Sequence, residues 1–123
     1  MGIYKGSCLC GAVHFELRSE PKAVTNCHCR MCQKQHGAAF ATYASVPEAD
    51  LAYLCGEDML SSYNSSGSIV RKFCSRCGSS IEWRGSPKFS DWVAIAVASL
   101  DTPFEPRSIK DIHLESKACW LDK

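Results

Sequence analysis

The chain has 123 residues, of which 46% are apolar and 22% are charged, a balance typical of a folded globular protein rather than a disordered one. Fourteen basic and thirteen acidic side chains give a net charge of +1, so no basic excess favours binding to nucleic acid or to an anionic membrane surface. The length fits one domain, and we expect a single zinc-binding unit over residues 1–123.

The N-terminal residues contain no apolar segment of the kind that signal peptides carry, and no apolar run approaches the roughly 18 residues of a transmembrane helix. The longest apolar run, residues 92–98, predicts a buried strand instead. We therefore expect a cytoplasmic protein that binds no membrane.

Short stretches of β-branched, aromatic or alternating apolar residues recur between turn-forming residues. They are AVHFEL (12–17), AAFATYASV (38–46), LSSYN (60–64), SIVRKF (68–73), SIEW (80–83) and WVAIAVASL (92–100). In the first stretch Val13, Phe15 and Leu17 share one face, and His14 belongs to the opposite, exposed face. Only residues 30–36 favour a helix, with Gly37 as its C-cap. The pattern predicts a mainly β fold of short antiparallel strands with one short helix.

Nine cysteines are the unusual feature of the composition, and seven of them lie in three tight groups. The groups are Cys8 with Cys10, Cys27 with Cys29 and Cys32, and Cys74 with Cys77. The odd total, the absence of a secretion signal and the strain of a disulfide between residues i and i+2 all favour metal binding over disulfides. Thiolates need only converge at roughly 2.3 Å from a zinc ion.

Two of the groups complement each other as ligands of one metal. Cys8 and Cys10 alternate on one face of an extended chain, while Cys74 and Cys77 form a C-x-x-C turn that Gly78 permits. These four residues, here called the four-cysteine cluster, make a closed set of the kind that structural zinc requires.

The remaining group, Cys27, Cys29 and Cys32, is here called the cysteine trio. It has no evident fourth ligand, and an open coordination position is typical of catalytic zinc. We expect the fourth ligand to come from outside the chain, as water at rest and as a thiolate when a substrate binds. Spacing alone leaves another partition open, in which Cys27 and Cys29 join Cys74 and Cys77.

Four segments carry a wider resemblance, and they are GSCLCGAVHFEL (6–17), CHCRMCQKQHG (27–37), FCSRCGSSIEW (73–83) and IHLESKACW (112–120). In these segments the chain resembles the glutathione-dependent formaldehyde-activating (GFA) family, which includes centromere protein V. The resemblance implies a small zinc-bound β-tent fold, a structural zinc at the four-cysteine cluster and a more labile zinc at the trio. It also implies a carbon–sulfur lyase that adds glutathione to formaldehyde and gives S-hydroxymethylglutathione.

Several histidines and basic residues are candidates for supporting roles. His36 is a candidate general acid or partner of the trio, or else a solvent-facing residue at the helix end. His113 either lines the site or packs within a strand. His28 alternates with Cys27 and Cys29 and should therefore point away from the metal. The basic residues near the cysteine groups are Arg30, Lys34, Arg71, Lys72 and Arg76.

Among these basic residues, Arg30 and Lys34 are candidates for holding a carboxylate of a thiol substrate, although a solvated basic rim explains them equally well. Cys55 and Cys119 stand outside the groups and are expected to be small buried side chains. Two functions remain open. The open trio favours a zinc-dependent lyase acting on the adduct of a small thiol with an aldehyde, whereas the lack of a convincing acid–base pair favours a non-catalytic, zinc-stabilised binding module.

Overall fold

The computed structural model of the protein describes residues 3–85 and 87–122. This part of the chain forms two β-sheets and one α-helix, α1 (Arg30–His36), so the predicted mainly β fold is confirmed. The strands are β1 (Tyr4–Ser7), β2 (His14–Leu17), β3 (Lys22–Cys27), β4 (Ala41–Pro47), β5 (Leu51–Cys55), β6 (Leu60–Ser66), β7 (Ile69–Cys74), β8 (Ser80–Arg84), β9 (Trp92–Ala96) and β10 (Lys110–Ile112).

Single 3₁₀ turns join several of these elements, and they span Glu48–Asp50, Glu57–Met59, Pro87–Phe89, Val97–Ser99 and Leu114–Ser116. One of them corrects a predicted boundary, because the strand expected over residues 92–100 ends at Ala96. Helix α1 has the predicted bounds, and Gly37 ends it in the left-handed conformation at φ 63°. Among the described residues no helix is both long and apolar enough to cross a membrane.

The smaller sheet has the strand order β1-β2-β5, and the larger sheet has the order β10-β3-β4-β9-β8-β7-β6. Strand β10 runs parallel to β3, and the other pairings of named strands are antiparallel. Parallel neighbours need a long connection. The chain between β3 and β10 provides it, because it forms α1 and strands β4 to β9 before it returns to pair with β3.

The main core lies between the two sheets. Val13, Phe15 and Leu17 are fully buried there and pack against apolar side chains of the large sheet, including Val93 and Ile95. His14 is exposed, as the alternation predicts. Burying a side chain of this size contributes roughly 1.5–3 kcal/mol, so the alternating face of β2 anchors the small sheet to the large one.

A second, smaller core lies on the other face of the large sheet, beneath α1. Its buried members are Cys27, Cys32, Ala41, Tyr43 and Ala96. The large sheet is therefore covered on both faces, which explains the nearly continuous apolar character of the stretch that forms β4.

A polar contact also links the sheets. The Tyr53 hydroxyl of the small sheet donates a hydrogen bond to Glu82 of the large sheet, whose side chain is almost fully buried. Arg84 Nε donates to the same carboxylate at 2.9 Å, and Arg84 also pairs with Glu48 at 3.3 Å. A buried carboxylate is tolerated only with such partners.

Gly56 lies where β5 meets the next turn, at φ 80°, and a Cβ there would lie 1.9 Å from the Ala12 carbonyl oxygen. We expect Gly56→Ala to destabilise the protein by about 3 kcal/mol, because left-handed strain and a backbone clash add together. Gly67→Ala is the matched control. Its φ is 50° but no atom lies within 4 Å of the added methyl group, so strain alone should cost about 1 kcal/mol. If urea unfolding showed the same loss of stability for Gly56→Ala and Gly67→Ala, the predicted clash at Gly56 would be contradicted.

Candidate metal centres and active site

The four-cysteine cluster forms where the two sheets meet. Cys8 and Cys10 lie in the loop between β1 and β2, while Cys74 ends β7 and Cys77 lies in the turn to β8. The four Sγ atoms all lie within 4.8 Å of one another. The structure thus brings together the closed set that the spacing favoured.

The sulfur positions fit a zinc ion. Sγ atoms lie 3.6 Å apart for Cys8 and Cys10 and 3.8 Å apart for Cys10 and Cys74, close to the roughly 3.8 Å edge of a tetrahedron with 2.3 Å zinc–sulfur bonds. A disulfide would need about 2.05 Å, and all nine cysteines are free. Backbone N–H groups of Val13 and Arg76 donate to Cys8 and Cys74 at 3.3 and 3.4 Å. These donors stabilise thiolates.

The Ser79 hydroxyl adds a side-chain contact to this cluster. It lies 3.2 Å from Cys77 Sγ, and this hydrogen bond lowers the pKa of the Cys77 thiol to about 5. The Leu9 N–H donates to the same hydroxyl at 2.9 Å. Ser79 therefore connects the cysteine loops of the two sheets directly, and it favours the thiolate form that a metal binds.

The cysteine trio forms at the start of α1. Cys27 ends β3, Cys29 is the N-cap of the helix, and Cys32 lies in its first turn. Cys29 Sγ lies 3.5 Å from Cys27 Sγ and accepts a hydrogen bond from the Cys32 N–H at 3.4 Å. The three sulfurs lie within 4.8 Å of one another, and among the described residues no histidine, carboxylate or further cysteine completes the set. The donor set fits a metal with an open position.

Arg71 on β7 is the charged partner of the trio. Arg71 is 1% exposed, and both of its Nη atoms lie 3.5 Å from Cys32 Sγ. Burial raises the pKa of the Cys32 thiol to about 12, against the opposing effect of Arg71. Three thiolates with a divalent cation carry one net negative charge, which one guanidinium balances. Two charged residues, Arg71 and Lys72, lie between Val70 and Phe73, and the sequence did not show which of them is buried.

His36 lies beside this charge and is not a solvent-facing residue. Its Nε2 shares a hydrogen bond with the Tyr43 hydroxyl at 2.7 Å, and the two rings meet edge to face. Burial, followed by the positive charge of Arg71, lowers the pKa of His36 to about 4. The imidazole is therefore neutral at pH 7 and holds no imidazolium proton to donate.

His28 lies outside the trio, as the alternation predicts. Its ring is 3% exposed and packs against Phe40, and its Nε2 lies 3.0 Å from Asp111 Oδ1 on β10. Gln33 Nε2 donates both to the His28 carbonyl at 2.7 Å and to the Ser116 carbonyl at 2.9 Å. The C-terminal segment thus holds the loop that carries the trio.

Three predicted residues lie away from both clusters. His113 is exposed at φ 59° and lies 3.3 Å from Glu115, so it neither packs within a strand nor joins the trio. Cys55 and Cys119 are exposed, and the expectation that they are buried was wrong. Cys55 ends the edge strand β5, and Cys119 lies in the C-terminal turn, so neither position is covered by a second layer.

The structure separates the two basic residues of α1. Arg30 is exposed and donates to the Gln33 side chain at 2.6 Å. Lys34 lines a cavity of about 320 Å³ together with Arg71 and the exposed Tyr63. Lys34 and Arg71 therefore offer two positive charges to one space, and Arg30 does not contribute to it.

The fold and the cysteines define a small, mainly β protein with one closed and one open thiolate cluster. Residues 3–116 match the family model described as glutathione-dependent formaldehyde-activating enzyme, and the chain belongs to this GFA family. A provisionally named glutathione-dependent formaldehyde-activating enzyme of Halomonas elongata is 30% identical over 128 positions, which cover 98% of this chain and 80% of that protein.

Two further similarities are more distant. An uncharacterised lyase of Schizosaccharomyces pombe is 27% identical over 81 positions, which cover 66% of this chain and 57% of that protein. The crystal structure of a Rhodobacter sphaeroides protein superposes with a TM-score of 0.68 at 26% identity, covering 87% of this chain and 98% of that one. The family model and the Halomonas relative thus carry the same enzyme name, and the yeast relative is named a lyase.

Cys74 is fully buried in the four-cysteine cluster, and we expect Cys74→Ser to abolish the cooperative unfolding transition. Metal binding at a structural site contributes of order 10 kcal/mol in zinc-finger peptides, as much as the whole stability of a typical domain. The exposed Cys55→Ser is the control and should change stability by less than about 0.5 kcal/mol. Circular dichroism and metal content per chain measure both effects. Unchanged values for Cys74→Ser would refute a structural role for the cluster.

Cys29→Ser should remove about one metal per chain and leave the fold intact, because the trio joins adjacent segments of chain rather than two sheets. Serine keeps an N-cap acceptor for α1, so Cys29→Ala should cost about 1 kcal/mol more. Metal analysis and thermal unfolding test this pair of variants. Joint loss of all metal and of the fold in Cys29→Ser would show that the two clusters are not independent.

Proposed function

We propose that this protein binds one zinc ion at each cluster and acts at the trio as a carbon–sulfur lyase. Its substrate would be the adduct of a small thiol with an aldehyde, and glutathione with formaldehyde is the first pair to test. Membership of the GFA family supports the chemistry. The observation that carries the proposal is the trio itself, three converging sulfurs with a buried guanidinium beside them and no fourth ligand among the described residues.

A zinc ion at the trio would supply a Lewis-acidic position that lowers the pKa of a thiol. The protein's own residues would orient the thiol. Lys34 and Arg71 line the same cavity, and two positive charges there would attract a substrate that carries carboxylates, as glutathione does. Ser65 fixes the guanidinium, because its hydroxyl accepts a hydrogen bond from Arg71 Nε at 3.0 Å.

The proton for the carbonyl oxygen would pass through Tyr43, whose hydroxyl would then be restored by the proton that the thiol loses. Burial raises the pKa of its hydroxyl, so the group stays protonated at neutral pH, and it belongs to the same core cluster as Cys27 and Cys32. Neutral His36 holds the hydroxyl at 2.7 Å. This pair provides the proton-bearing group that the sequence did not reveal, and it gives His36 a positioning role rather than that of an acid.

The test is exchange NMR with ¹³C-labelled formaldehyde and glutathione, which follows the rate at which S-hydroxymethylglutathione forms above the uncatalysed rate. We expect acceleration by the zinc-loaded protein and none by Cys29→Ser. Lys34→Ala should lose about tenfold in kcat/KM, the equivalent of one charge-assisted contact. Arg30→Ala, which changes the same helix outside the cavity, should lose far less.

The non-catalytic module predicts a different result. Thiols would then perturb the sulfur-to-metal charge-transfer band of the cobalt-substituted protein, while no aldehyde adduct would form faster than in buffer. Binding with no acceleration for glutathione or other small thiols would replace the lyase by a zinc-stabilised binding module. A spectrum that no thiol changes would contradict an open, thiol-accepting trio.

A further inference from the structure

One row of cross-strand neighbours crosses the face of the large sheet that carries the trio. In order from β6 to β3, the row is Tyr63, Arg71, Trp83, Ala94, Ser45 and Lys22. Arg71 contacts the trio, so the residues paired with it in register share the trio's side of the sheet. Tyr63 and Arg71 lie at one end of the row, and from Trp83 the row continues through the small residues Ala94 and Ser45 to Lys22.

On the aromatic side the surface forms an open groove of about 590 Å³. Its walls include the rings of Trp83, Phe89 and Trp92, and its floor includes the small residues Ser45 and Ala94. Phe89 is 60% exposed and Trp92 is 38% exposed, so no described part of the chain covers these rings. Exposed aromatic rings around a concave surface are typical of a ligand site.

The groove and the trio share a wall. Trp83 and Ala94 line the groove and also pack against the core cluster that contains Cys27 and Cys32. The Trp83 and Tyr43 ring centroids lie 6.3 Å apart. Gly85 leaves room for the indole in this position, because a Cβ there would lie 2.3 Å from Trp83 Cη2.

We propose that this groove binds an apolar substituent, aromatic or branched, on the carbon that is bonded to the thiol sulfur. The proposal rests on the lyase function above and names its substrate class. Adducts of apolar aldehydes, rather than that of formaldehyde, are then the better ligands, since formaldehyde has no substituent that reaches the groove. The reaction balances without a further reactant: the sulfur–carbon bond forms, the carbonyl π electrons move to oxygen, and the thiol proton ends on that oxygen.

The charge arrangement supports this orientation. Lys34 would hold a carboxylate of the thiol on one side of the trio, with the buried positive charge of Arg71 nearby, and the groove lies on the other side of Trp83. Lys22, at the far end of the row, is the charged residue that lines the groove among those described. Lys88 Nζ lies 5.8 Å from the centroid of the Phe89 ring, whereas Trp83, Gly85 and Ala94 offer an apolar surface that favours an uncharged group.

Binding of two stable probes tests the groove independently of catalysis. S-benzylglutathione and S-methylglutathione share their carboxylates and differ in the group on sulfur. Isothermal titration of the zinc-loaded protein should show at least tenfold tighter binding of the benzyl compound. Ser45→Leu, which fills the floor, and Trp92→Ala, which removes a wall, should each abolish this preference. Metal content and circular dichroism verify that both variants are folded.

Equal affinity for the two probes would overturn the inference, and so would a benzyl preference that survives both substitutions. Exchange NMR with phenylacetaldehyde and formaldehyde then tests the lyase function separately. Acceleration with formaldehyde but equal binding of the probes would keep the lyase and refute the groove. A benzyl preference that both substitutions remove, without acceleration for either aldehyde, would keep the groove as a ligand site and refute the lyase.

Discussion

The convergence of four cysteine sulfurs at the junction of the two sheets is the constraint on which the rest of the structure depends. One pair comes from the loop that follows β1, and the other comes from the end of β7 and its turn. A chain of this size buries a limited core, and a metal bound by these four sulfurs would add its binding energy directly to folding. The contact between Tyr53 and Glu82 is a second link across the same junction, and it positions the two sheets by a single hydrogen bond.

The two faces of the large sheet have different packing partners. One face packs against the small sheet and forms the main core, while the other carries α1, the trio and the aromatic groove. Strand β7 takes part in both, since it places Cys74 in the closed cluster and Arg71 beside the open one. Strand β7 therefore contributes to both cysteine clusters. A strand held in a sheet is rigid, so it keeps these side chains in a fixed geometry.

Charge and burial set the protonation states around the trio. Arg71 is buried where an unpaired guanidinium would be costly, and both of its Nη atoms contact Cys32 Sγ, which a metal at the trio would hold as a thiolate. The same positive charge, together with burial, keeps His36 neutral, while burial keeps Tyr43 protonated. The site thus combines sulfur ligands for a metal with a hydroxyl that retains its proton, and each state follows from its neighbours rather than from the residue type.

The sequence by itself determined what depends on neighbouring residues: the alternating face of β2, the helix over residues 30–36 with its Gly37 cap, and the local cysteine pairs. It did not reveal β1, β3, β5 or β10. Strands β1 and β10 are only four and three residues long, and the burial of residues along β3 and β5 does not alternate. Spacing also left two partitions of the cysteines open. Only the packing of the two sheets decided between them, and only the strand register placed Arg71 on the trio and Trp83 between the trio and the groove. Local periodicity specifies which face a side chain occupies, whereas the partner across that face is chosen by long-range register and sheet packing.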